Sequence, residues 1–158
     1  IVGLALAACL WWAYFDIDAI VAERHLRRAQ GLAQVTMARD SYSYLHFPMV
    51  AGIVLVALGI KKTLGHLSDP LATVPAVALG AGVAVYLLGH VGFRYRNTHT
   101  LHRFRFAVAL ACLTAIPVAT EVSAFAGLAV VTALMVVVIA RERIRLREFR
   151  ARVRAEAH

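Results

Sequence analysis

The sequence predicts an all-α integral membrane protein, with about five transmembrane helices forming part of a larger helical bundle. Three observations carry that expectation: the composition, the lengths of the apolar runs, and the one-sided distribution of the basic residues. Of 158 residues, 61% are hydrophobic and 16% charged, and the mean hydropathy is +0.70. An ordinary soluble domain is about 45–50% apolar and about 25% charged. A chain of this length folded in water has too little interior to hide so much apolar side chain, so a second apolar solvent is required, and the bilayer supplies it.

Apolar runs cover residues 1–22, 42–60, 71–93, 104–120 and 122–140. Their lengths suit a hydrocarbon core of roughly 30 Å crossed at about 1.5 Å per residue, and only helices satisfy their own backbone there. The first run ends in a charged stretch holding Glu23, Arg24, Arg27 and Arg28. Arg39 and Asp40 precede the second, and Lys61 and Lys62 follow it. Between these two runs, residues 29–37 are weakly amphipathic and predict a short interfacial helix. The third run gives way to Arg94. As one helix, residues 104–140 would span roughly 55 Å, so a tight turn near residues 119–123 is expected, marked by Pro117 and Glu121. Residues 141–158 predict a basic helical tail, with Leu146, Phe149 and Val153 on one face.

Counted on alternate sides of these helices, 15 of the 17 Lys and Arg fall on one side. The positive-inside rule makes that side cytosolic, with the C-terminus inside and Ile1 outside. The net charge of +8 is therefore topogenic, and no nucleic-acid partner is expected. The partners implied are the lipid bilayer, anionic lipid at the basic tail and a second copy of the chain in a homo-oligomer. Cys9 and Cys112 lie inside apolar runs, where a thiol behaves as a small hydrophobe. The chain opens in an apolar run with neither an initiator Met nor a charged leader and cleavage site, so Ile1 is expected to be an interior cut of a longer protein.

Polar residues inside or beside the apolar runs are the functional candidates. The first run ends WWAYFDID, where Trp11, Trp12 and Tyr14 suit an aromatic belt. If the helix continues past Asp18, Asp16 lies within hydrocarbon and must face the protein interior. The second run opens RDSYSYLHFPMVAG. Asp40 can cap its amides, and Tyr42 and His46, four apart, share a face. Pro48 removes the amide that would bond the Tyr44 carbonyl, which kinks the helix. On the third run Tyr86, His90 and Arg94 form a polar stripe at i, i+4 and i+8. Alternating topology brings these groups to one side of the membrane, with Asp16 and Asp40 against Arg94, and His46 and His90 as titratable groups among them. Asp16, Asp40, Tyr42, His46, Tyr86, His90 and Arg94 are thus the candidate substrate- or ion-binding residues. No HxxxH, HExxH or CxxC spacing points to a metal, and nothing points to a cofactor. No nucleotide-binding loop or nucleophile elbow points to an enzyme. Gly52 and Gly59, with Gly82 and Gly89, recur at seven-residue spacing, the pattern of helices in close approach.

Taken together, WWAYFD, RDSYSYLHFPMVAGIVLVALG and AVALGAGVAVYLLG resemble the C-terminal half of the bacterial low temperature requirement A family. The resemblance covers about residues 11–93. It implies a polytopic bacterial inner-membrane protein longer than this chain, whose N-terminal half is a further partner, and it carries no catalytic assignment. Two functions lead at this point, ahead of a third in which a lipid- or quinone-handling membrane enzyme uses Asp16 or His46 as acid or base. One is a transporter or ion-coupled carrier in which Asp16, His46 and His90 line a polar cavity open to the cytosol. The other is a non-transporting structural or stress-response subunit in which the same groups only join helices.

Overall fold

The structure, a computed structural model of the chain, describes residues 1–15, 23 and 26–145, and these residues are helical apart from short connections. The helices are α1 (Val2–Phe15), α2 (Gly31–Ala38), α3 (His46–Gly65), α4 (Thr73–Thr98), α5 (Arg103–Thr114), α6 (Ile116–Ala119) and α7 (Ala124–Arg145), with a π-helical segment, Arg39–Tyr44, between α2 and α3. The segments Gly31–Gly65, Thr73–Thr98 and Ala124–Ile144 are long and apolar enough to cross a membrane, and Val2–Phe15 is a shorter apolar helix.

Helix α4 is the axis of the bundle. Ala76, Leu79, Val83, Tyr86, Leu87, His90 and Phe93 are buried along its length. Helix α3 packs against it on one side and α5 on another, while α1 lies chiefly against α7. The α3–α4 contact is a glycine seam. A Cβ on Gly52 would stand 2.6 Å from the Gly82 carbonyl oxygen and 2.8 Å from the Tyr86 nitrogen, and one on Gly82 would stand 2.8 Å from the Val56 nitrogen. Backbone thus meets backbone, which only residues without side chains allow. Helix α5 approaches the opposite face through Gly80, where a Cβ would meet Ile116 at 2.6 Å and the Cys112 carbonyl oxygen at 3.0 Å.

Two irregularities follow from proline. Pro48 lacks the amide that would bond the Tyr44 carbonyl, and the turn ahead of it widens: Leu45 N–H donates to the Asp40 carbonyl five residues back, at 3.0 Å. Residues 29–37, expected to form a separate interfacial helix, instead contribute α2 to one helical path of 35 residues, Gly31–Gly65. That path is roughly 52 Å long, so it outreaches the hydrocarbon core. Pro117 likewise cannot donate to Leu113, and the chain breaks at Ala115 between α5 and α6. It then reverses over residues 120–123. There the carbonyls of Asp69 and Leu67 accept from Ala124 and Phe125 at 2.8 and 3.1 Å, serving the orphan amides at the start of α7. Residues 146–158, most of the expected tail, lie outside the described residues.

The glycine seam yields a test. Gly52→Leu forces side-chain atoms into the α4 backbone and is expected to destabilise the protein by about 1–3 kcal/mol. Gly65→Ala, where a Cβ meets nothing within 4 Å, should leave thermal unfolding in detergent unchanged. An unfolding midpoint for Gly52→Leu equal to wild type would contradict the seam.

Candidate functional site

Because neighbouring helices alternate in direction, one end of the bundle collects the last turn of α1, the π-helical segment and first turn of α3, the last turns of α4, the start of α5 and the end of α7. The polar side chains gather there in three groups.

The first group lies between α1, α3 and α4. Tyr14 meets His46 edge-on with ring centroids 5.5 Å apart and His90 at 5.9 Å, while Tyr86 meets His90 at 4.6 Å. Tyr86 and His90 are each 1% exposed. The Tyr86 hydroxyl donates to the Leu10 carbonyl, so α1 and α4 are fixed side by side. Nδ1 of His46 is buried and has no hydrogen-bond partner among the described residues, and Nε1 of Trp12 is in the same position.

The second group joins the π-helical segment to the end of α4. Asp40 accepts from Arg96 at 3.2 and 3.3 Å and from Arg39 at 3.0 and 3.1 Å. Asp40 stands just ahead of the apolar run, and the two guanidinium groups, Arg39 foremost, hold its carboxyl below the usual carboxylate range. Beside it, the buried Ser41 hydroxyl donates to Asn97 Oδ1 at 3.1 Å, Asn97 returns a hydrogen bond to the Phe93 carbonyl at 2.7 Å, and Tyr42 packs edge-on against Phe93 at 5.6 Å.

The third group is a buried ion pair between α5 and α7. Arg105 is 4% exposed and Glu142 8%. The guanidinium donates to both carboxylate oxygens, Nε at 2.7 Å and Nη2 at 2.8 Å, and Nη2 also donates to the Ala13 carbonyl of α1 at 3.2 Å. This bidentate fork is the strong form of the contact. His102 completes it: its Nδ1 accepts from the Arg105 amide at 3.5 Å, which places the proton on Nε2, 3.3 Å from Glu142 Oε1. Next to the pair a cleft of about 440 Å³ opens among Arg94, His102, Arg103, Phe104, Arg141 and Glu142.

The structure therefore joins Tyr86, His90 and His46 through Tyr14, and sets Tyr42 on Phe93. Asp40 pairs with Arg96 where Arg94 was expected, because Arg96 extends from α4 toward the π-helical segment. Arg94 donates to Thr100 Oγ1 at 3.3 Å. Asp16 lies outside the described residues, as does Asp18. Sequence reasoning missed Tyr14, His102, Arg105 and Glu142. A signal for the last two was present: they lie near opposite ends of one helical hairpin, at similar distances from its turn, so antiparallel packing brings them level. Among the described residues, no group of three His, Cys, Asp or Glu stands close enough to hold a metal ion.

Long apolar helices with glycine seams, and clusters of polar side chains gathered toward one end, define an all-α membrane protein. The chain belongs to the bacterial low temperature requirement A family, whose family model matches residues 1–140. No curated protein and no solved structure matches it.

The ion pair predicts an asymmetry. Glu142→Gln removes the carboxylate that holds a buried guanidinium and is expected to cost about 3 kcal/mol or more. Arg105→Met combined with Glu142→Met, which removes both charges, should cost less than either single change. Thermal unfolding in detergent of wild type, Glu142→Gln, the two single Met variants and the double variant measures this, and additive losses in the Met series would show that the two side chains do not act as a pair.

Proposed function

We propose that the chain forms the core of a bacterial inner-membrane transporter or ion-coupled carrier, with its basic end in the cytosol, in which Tyr14, His46, Tyr86 and His90 pass protons. The observation that supports this reading is the uncommitted Nδ1 of His46. An unsatisfied buried polar atom costs about 1–3 kcal/mol, and a polar group kept at such cost in an apolar bundle is the mark of a site that takes up a proton or ligand. Imidazole is the side chain whose ordinary titration falls near physiological pH. Two of them, on α3 and α4, share contact with one phenol on α1, so titratable rings from three helices adjoin one another. Asp16 follows Tyr14 by two residues and belongs to the same proposed path. Asp40, Tyr42 and Arg94 stand around its cytosolic mouth.

Proton flux into proteoliposomes carrying the full-length protein, followed with an entrapped pH dye under an imposed membrane potential, tests this role. His46→Gln, His90→Gln and Asp16→Asn are each expected to reduce flux toward that of empty liposomes. Wild-type flux no greater than that of empty liposomes, or variants that match wild type, would overturn it. The second reading, a non-transporting structural or stress-response subunit, draws its support from the Arg105–Glu142 pair and the Ala13 carbonyl, which tie α1, α5 and α7 together with fully used charges.

The proposed orientation rests on the reluctance of Lys and Arg to cross the membrane. In a background lacking Cys9 and Cys112, an impermeant maleimide applied to intact cells should label Ser68→Cys, in the connection ahead of α4, and spare Thr100→Cys, in the connection after it. The reverse pattern would invert the orientation.

A further inference from the structure

The cleft beside the Arg105–Glu142 pair carries a surplus of positive charge. Its carboxylate, Glu142, is bound by Arg105 and His102. Arg103 and Arg141, which line the same cleft, pair with no acid among the described residues. Arg141 is held in place without one: its guanidinium lies over the Phe104 ring, 4.5 Å from the centroid, which orients the fork and leaves its N–H groups for another acceptor. Leu101 and Phe104 give the cleft an apolar wall. It continues onto the outer face of the bundle, because Arg141 also borders a shallow groove with Val137, Ala140 and Ile144 on α7. On α5, Arg103 heads a second apolar stripe, with the exposed Phe106 and Leu110 three and seven residues further on the same face.

We propose that this cleft binds the phosphate-bearing headgroup of an anionic lipid, with Arg103 and Arg141 on the phosphate and an acyl chain along the Val137–Ala140 groove. Two features select an amphiphile over a free anion. The charges stand at the mouth of a partly apolar cleft, and the groove that leaves it is lined by aliphatic side chains apart from Arg141. The site is separate from the imidazole cluster and does not depend on transport. It lies among residues 94–104 and 137–144, apart from the distal tail.

The purified protein is placed in nanodiscs of phosphatidylcholine containing either phosphatidylglycerol or no anionic lipid, extracted into detergent, and analysed by native mass spectrometry for retained lipid. Wild type is expected to retain one phosphatidylglycerol in preference to phosphatidylcholine. Arg103→Gln with Arg141→Gln should weaken that retention by about tenfold or more, while Lys61→Gln with Lys62→Gln, at the other end of the bundle, should not change it. The lysine-retaining pair Arg103→Lys with Arg141→Lys, expected to keep partial binding, guards against a folding defect. Inorganic phosphate added during extraction should lower retention only at millimolar concentrations. Equal retention of the two lipids, equal loss in the two glutamine pairs, or binding of phosphate with no retention of phosphatidylglycerol would each overturn the proposal.

Discussion

Helices in hydrocarbon gain little by burying apolar side chains against one another, since lipid tails are as apolar as leucine. Their association must come from close packing and from polar contacts that hydrocarbon cannot offer. Most features of this bundle follow from that constraint. Between α3 and α4 the driving contact is backbone on backbone, made possible at Gly52 and Gly82. Once two helix axes stand that close, a long row of side chains on either side comes within dispersion range. Helix α4 can then be buried over most of its surface although it is apolar enough to cross a membrane by itself.

The two kinds of contact are segregated, and geometry explains why. Small residues occupy the middle of α3 and α4, where no water can satisfy a polar group. The polar side-chain contacts that join different helices gather at one end, where α1, the π-helical segment, α4, α5 and α7 meet. The opposite end is tied by the loops instead, through the carbonyls of Leu67 and Asp69 on the first amides of α7. In the basic end the polar groups also differ in how completely they are used. Arg105 and Glu142 satisfy each other with a fork, the Ala13 carbonyl and His102. Both His46 and His90 make ring contacts with Tyr14, and His46 keeps an Nδ1 with no hydrogen-bond partner among the described residues.

The all-α membrane class was legible because composition and run length act over many residues, and no local accident can reverse them. Tyr86 and His90 were legible as neighbours because a four-residue spacing on one helix fixes a shared face. Contacts between helices were harder to read. Asp40 was matched with Arg94 by depth, yet Arg96 is two residues further along α4 and reaches it, and depth alone does not set rotation about the helix axis. The π-helical segment was anticipated only as a kink at Pro48. Its wide turn keeps α2 on the same helical path, and helical periodicity in a sequence does not show a single inserted residue. Arg105 was read as a topogenic charge because it borders an apolar run, and Glu142 was passed over as part of the basic tail. Their pairing depends on where the hairpin turn falls, and a break at Ala115 shifts that register.

The ion pair and the imidazole cluster meet at a single turn of α1. Arg105 is bonded to the carbonyl of Ala13, and the next residue, Tyr14, carries the phenol that touches both His46 and His90. Trp12, on the other side of Ala13, lies under Arg143 of α7, whose guanidinium carbon is 4.1 Å from the ring centroid. Three consecutive residues of α1 are therefore each held by a different partner, which fixes the stretch of backbone that carries the phenol. A proton-handling cluster needs such support, because proton transfer depends on heavy-atom separations within about 2.6–3.2 Å, directly or through one water. On that ground the fully used charges and the unused His46 nitrogen are complementary: the Arg105–Glu142 pair supplies rigidity from outside the imidazole cluster.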